Sequence, residues 1–216
     1  MSAITVRRLA SLDAAKIREL AEVLCDCVDG GASVSFMQPL TTERAEAFWR
    51  GVADGVARGE RALLVAEEAG GTIVGTVQLV LAQPENQPHR ADVAKMLVHR
   101  RARRHGLGAA LMQAVECEAA REGRSLLVLD TVTGGDAERL YARLGWQRCG
   151  VIPDYALRPA RCTAAAAFRR TRQAAGVARG PKIALPMRTS VAPSATAASR
   201  SALMPIDSVS SARPCS

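Results

Sequence analysis

Arg103-Arg104-His105-Gly106-Leu107-Gly108 concentrates basic and glycine residues in one short run, and the chemistry that such a run offers is the binding of an anion. An apolar segment containing Val93, Met96, Leu97 and Val98 precedes it, and Leu107, Leu111, Met112, Val115 and Ala119 follow at helical spacing. A helix that begins here points its first unpaired N–H groups and its positive dipole end back at the loop, where a phosphate or pyrophosphate can be held. Gly106 and Gly108 leave no side chain between such a ligand and the backbone. Two other glycine loops are excluded by neighbouring residues. A Walker loop requires Lys and then Ser or Thr after its last glycine, whereas Ala109 and Ala110 stand there. The dinucleotide fingerprint requires glycine or alanine at position 111, which is Leu.

A second block follows about thirty residues on, Asp136-Ala-Glu-Arg-Leu-Tyr141-Ala-Arg-Leu-Gly145-Trp146. With Arg103, Gly106 and Gly108, this block resembles the GCN5-related N-acetyltransferases, whose pyrophosphate loop reads arginine-x-x-glycine-x-glycine and whose last helix ends in a glycine and an aromatic strand start. Lys95-Met-Leu-Val-His99, Leu129-Asp-Thr131 and Ile152-Pro-Asp-Tyr-Ala-Leu157 resemble the tabtoxin-resistance branch of that family. The resemblance spans roughly residues 3 to 157. It implies an α/β (α+β) fold, with a mixed, mostly antiparallel central sheet flanked by helices. It also implies an enzyme that moves an acetyl group from acetyl-CoA to an amine, with a small-molecule toxin or antibiotic as acceptor.

Carried over residue by residue, the resemblance assigns the cosubstrate site to Arg103, Arg104, His105, Gly106, Leu107, Gly108 and Ala109 for the pyrophosphate. Met96, Leu97 and Val98 would pair with the pantetheine arm as if it were another strand. An N–H near Leu97 or Val98 would face the thioester oxygen and stabilise the tetrahedral intermediate. Tyr141 aligns with the tyrosine that protonates the departing sulfur, and a phenol with a reference pKa of ~10 retains its proton for that step. An amine with a pKa near ~10.4 must lose a proton before it attacks, and Asp130 is positioned to take it or to recognise the cation. Against these roles stand a tyrosine that only packs its helix, an aspartate that only caps a strand, and a solvated basic turn at Arg103 and Arg104. His89, His99 and His105 lack metal-ligand spacing, so no metal is expected.

The elements that must position these residues follow from periodicity. Ile4, Val6 and Leu9 open a strand; Ser11 or Asp13 caps a helix carrying Ile17, Leu20, Val23 and Leu24; Thr41 or Thr42 starts a second helix through Phe48, Val52 and Val56. The irregular stretch 32–40 between the helices could shape a substrate pocket. Residues 63–68 and 72–81 read as a hairpin, 91–98 as the strand entering the glycine loop, and 125–129 as a strand covered on both faces with Asp130 at its carboxyl end. Gly123 and Gly145 end the last two helices, and residues 146–152 form the final clear strand.

Composition divides the chain. Residues 1–157 hold 19 Lys+Arg against 20 Asp+Glu and residues 158–216 hold 10 against 1, so the formal net charge of +8 lies in the tail. The tail is rich in Ala, Arg, Pro and Ser without a period, which predicts disorder after a domain ending at residue 157. It resembles out-of-frame translation of guanine- and cytosine-rich codons, and loss or alteration of the family's last strand would expose the strand at residues 146–152 as an edge. Arginine-rich tails also bind nucleic acid, a rival reading that the scarcity of aromatics weakens. Transfer to a protein amine and acyl-CoA binding without catalysis also compete with the small-molecule reading, and a homodimer is left open. The six cysteines form no C-x-x-C pair, Cys25 and Cys27 point apart on a helix, and no 18-residue apolar stretch occurs. A soluble cytoplasmic protein with reduced thiols and no membrane partner is expected.

Overall fold

The structure is a computed structural model that describes residues 4–158 and 161–171. Strand β1 (Thr5–Leu9) leads to helices α1 (Ala14–Asp29) and α2 (Thr42–Ala57), then to strands β2 (Arg61–Glu67), β3 (Ile73–Val80) and β4 (Arg90–Val98). After these come α3 (Leu107–Arg121), β5 (Leu126–Val132), α4 (Asp136–Arg143), β6 (Gln147–Arg158) and β7 (Arg161–Thr171). Of the alternatives at the two helix starts, Asp13 and Thr41 are the caps: the Asp13 side chain accepts the Lys16 N–H at 2.8 Å and Thr41 accepts that of Arg44 at 3.3 Å.

The strands form one sheet in the order β1-β2-β3-β4-β5-β7-β6, antiparallel throughout except for the parallel pair β4 and β5. Side chains alternate across it. Leu63 and Val65 of β2 join α1 and α2 in one apolar cluster, while Leu64 and Ala66 join α3, Tyr141 and Trp146 in the other. Both faces of the central strands are therefore covered, which explains why β2 and β3 read as nearly continuous apolar runs.

The sheet does not stop at residue 157, where the sequence reading ends the domain. Strand β7 lies between β5 and β6, from Leu126↔Thr171 to Val132↔Ala165 on one side and from Gln147↔Arg169 on the other. Its alanines carry no period, yet Ala165 and Ala166 are buried where small side chains fit beneath the neighbouring strands. Phe168 is buried against Tyr141 and Trp146 in the same cluster. Arg170 ties the strand end to α3 through Glu116 at 3.1 Å and donates to the Leu144 carbonyl. Residues 161–171 thus form a strand where the sequence reading has the family's last strand missing or altered; the basic tail at 172–216 lies outside the described residues.

Candidate functional site

Strands β4 and β5 are paired only from Arg90↔Leu126 to Asp92↔Val128. Beyond that point β4 continues to Val98 paired with β3 but with no strand on its β5 side, so the sheet opens between its two parallel strands. A bulge accompanies the opening. On β3, Val77 alone separates Thr76 (paired with Leu97) from Gln78 (paired with Ala94), while on β4 Lys95 and Met96 fill the same interval. Lys95 adopts φ 50, left-handed backbone that side chains rarely tolerate.

The N–H of His99 donates to the Val74 carbonyl at 2.9 Å, which fixes the side to which each peptide of β4 turns. By alternation, the Val98 N–H and the carbonyls of Met96 and Val98 face away from β3, into the opening. The Val98 carbonyl is already engaged: Arg103 Nε donates to it at 2.9 Å. The same guanidinium reaches Cys27 Sγ at 3.6 Å, so Arg103 clamps the loop onto β4 and α1 instead of extending towards a ligand. Burial, ahead of the opposing contacts from Arg103, pushes the Cys27 thiol up.

The glycine loop starts as a 3-10 turn, Arg100–Ala102, in which His99 Nδ1 accepts the Arg101 N–H at 3.2 Å. Asp26 of α1 holds the turn, accepting from both the N–H and Nε of Arg100 at 2.8 Å. Burial works to raise the Asp26 carboxyl, but these two hydrogen bonds outweigh it and hold the group below its ordinary range. Gly106 precedes α3 with φ 77, a conformation open to glycine and costly for other residues. The first intrahelical bond runs from the Ala110 N–H to the Gly106 carbonyl at 3.1 Å, which leaves the N–H groups of Leu107, Gly108 and Ala109 without helical partners. The Arg103 N–H is engaged with the Arg100 carbonyl at 3.3 Å. The free donors are thus concentrated in the second half of the 103–109 stretch, with exposed Arg104 and His105 beside them.

Gly108 has a further reason to be glycine. A Cβ there would lie 3.0 Å from Leu140 Cδ2 and 3.9 Å from Met96 Sδ, so α3 starts in close contact with α4 and β4. Tyr141 follows Leu140 on α4, buried between Trp146 and Phe168 with ring centroids 6.1 Å away in each case. Burial first, and the Asp130 carboxylate second, raise this phenol well above its ordinary value, so the proton stays on it through neutral and alkaline pH.

Asp130 is not at a strand end. It lies within β5, opposite Ala167 of β7, with its side chain exposed, so the cap and turn readings fail. Its charge acts on both Tyr141 and Lys95. Lys95 is the residue that sequence reasoning missed. It stands in the 95–99 block of the resemblance, which gives it no role at the site. Among the described residues no group of His, Cys, Asp and Glu is arranged to hold a metal, and no helix is long and apolar enough to cross a membrane.

Comparison with known proteins places this geometry. The acetyltransferase (GNAT) domain family matches residues 59–148, from the end of α2 through the glycine loop to the start of β6. An uncharacterized N-acetyltransferase encoded in the hisH-hisA intergenic region of Azospirillum brasilense is 34% identical over 132 residues, covering 60% of this chain and 76% of the relative. Among solved structures, a GCN5-related N-acetyltransferase from Kribbella flavida shares the fold at 24% identity and a TM-score of 0.65, over 79% of this chain and 98% of that one. Salmonella typhimurium yncA, solved with its cofactor acetyl-CoA, shares it at 20% identity and a TM-score of 0.65, over 78% and 94%. The family match and the relative 34% identical over three quarters of its length agree with the shared fold, and the chain belongs to the GNAT family of acetyl-CoA-dependent N-acetyltransferases.

Proposed function

We propose that this enzyme acetylates the amine of a small molecule, with a toxin or antibiotic as the acceptor class, as the resemblance of residues 95–99, 129–131 and 152–157 to the tabtoxin-resistance branch implies. The observation that carries the reading is the gap that opens beside β4, with Gly108 at the start of α3 close to Met96 and the N–H groups of Leu107 to Ala109 without helical partners; Asp130, whose charge acts on Tyr141, supports it. Acetyl-CoA, when bound, supplies an acetyl group already activated as a thioester. The loop fits it: the N–H groups of Leu107, Gly108 and Ala109, at the positive end of α3, suit a pyrophosphate, and Gly106 offers no side chain to obstruct it. The Val98 N–H is the donor that alternation selects to stabilise negative charge on the carbonyl oxygen. The reducing cytoplasm is the proposed compartment, supported by free thiols at Cys25, Cys27, Cys117 and Cys149.

In this reading Tyr141 keeps a proton at its hydroxyl for a departing sulfur, and Asp130 takes or orients the proton of the acceptor ammonium. Tyr141→Phe should lower kcat by about a hundredfold, the lower range for loss of a general acid, with coenzyme A affinity nearly intact. Because the phenol is raised, kcat should show no loss attributable to its ionisation up to about pH 10. Asp130→Asn should act on kcat or on acceptor KM. Turnover unchanged in both variants, measured by thiol release with acetyl-CoA and a screen of amines, would return these residues to a structural role.

A further inference from the structure

Lys95 presents a charge that the fold leaves unpaired. The bulge turns its side chain onto the α1/α2 face, where Nζ donates to Ser35 Oγ at 3.2 Å and lies 5.9 Å from the ring centroid of Phe36 and 5.6 Å from that of Phe48. Ser35 and Phe36 come from the irregular stretch between α1 and α2, so that stretch roofs the ammonium. Among the described residues no carboxylate forms an ion pair with it. Burial lowers its pKa, Asp130 opposes that from a distance, and Arg61, hydrogen-bonded to Gln78 at 3.0 Å, adds a second positive charge nearby.

A half-buried cation of this kind costs stability relative to an apolar side chain of the same length, since ring contacts and one hydroxyl replace only part of its hydration. The cost is recovered when an anion arrives. Asp130 lies on β5, across the gap that opens beside β4, and its charge reaches Lys95, so the two strands that border the gap carry a positive pole and a negative pole. We propose that the acceptor is an amino acid or close analogue, whose carboxylate is anchored by Lys95 beneath Phe36 and Phe48 while its amine faces Asp130. This rests on the acetyltransfer reading above and adds a substrate class to it. Lys95 and Arg61 together disfavour acceptors that are purely cationic, and a protein amine far from any carboxylate gains nothing from Lys95.

The test pairs each α-amino acid with its decarboxylated amine, as phenylalanine with phenethylamine or methionine with 3-(methylthio)propylamine, and measures thiol release by the full chain with acetyl-CoA. At least one acid should exceed its decarboxylated partner in kcat/KM by about tenfold to a hundredfold, the range for a charge-assisted hydrogen bond. Lys95→Met should erase that preference through acceptor KM while acetyl-CoA binding by calorimetry is kept, and Lys95→Arg should restore part of it. The proposal is overturned if the preference survives in Lys95→Met, if decarboxylated amines are the better acceptors, or if no acid is turned over. Turnover confined to amines without a carboxylate sinks this inference and leaves the acetyltransfer reading standing; failure to bind acetyl-CoA sinks both.

Discussion

Gly108→Glu abolishes acetyl-CoA binding in calorimetry, a loss of at least about a hundredfold, or roughly 2.7 kcal/mol. Two effects act together. The added Cβ starts 3.0 Å from Leu140 and close to Met96, so the side chain must leave through the mouth of the opening, across the free N–H groups of Leu107 to Ala109. Its carboxylate then occupies the place proposed for the pyrophosphate and repels it. Glutamate in the first turn is favourable for the helix itself, which separates the binding defect from a folding defect. The melting temperature should therefore change far less than affinity. Gly108→Ala is the graded control: the neighbour is the flexible end of Leu140, which can give by the few tenths of an ångström required, so binding should weaken modestly. A glutamate variant that binds coenzyme A as tightly as the parent would remove the loop from the site.

Ending the chain at residue 157 unfolds the domain. Strand β6 reaches the sheet only through β7, and β5 pairs with β7 along its whole length, so the truncation frees one strand and strips the partner from another. A buried aromatic shared with Tyr141 and Trp146 goes with it. The finer version is Phe168→Ala, expected to cost about 3–5 kcal/mol, a large share of the ~5–15 kcal/mol that holds a typical domain together. Denaturant unfolding reads both. Because Phe168 lies against Tyr141, with ring centroids 6.1 Å apart, kcat should fall in Phe168→Ala even where the protein remains folded. A truncated chain that unfolds cooperatively at the parent midpoint would show β7 to be dispensable.

Those two outcomes lie on opposite sides of what the sequence could reveal. The glycine loop and its helix, the helix starts near Asp13 and Thr41, the hairpin of β2 and β3 and the Tyr141 block were all legible, because each rests on spacing within a few residues: a helical period, a turn between two apolar runs, a side chain reaching an N–H three residues on. Strand β7 was not legible. Alanine favours strands weakly and carries no pattern, so Ala165 and Ala166 became strand only because β5 and β6 flank them and Phe168 has a cluster to enter. The same holds at the site. The residue types of Arg103, Asp130 and Lys95 were in plain view, but their directions depend on long-range geometry. Arg103 turns back because the end of β4 and Cys27 lie within its reach, and Asp130 stands mid-strand because pairing with β7 carries β5 past it. Lys95 leaves the ladder because β4 holds one residue more than β3 across the bulge. The sequence by itself determined which cosubstrate this protein uses; pairing between strands far apart in the chain decided where Lys95 and Asp130 stand, since register is a property of two segments and is written in neither alone.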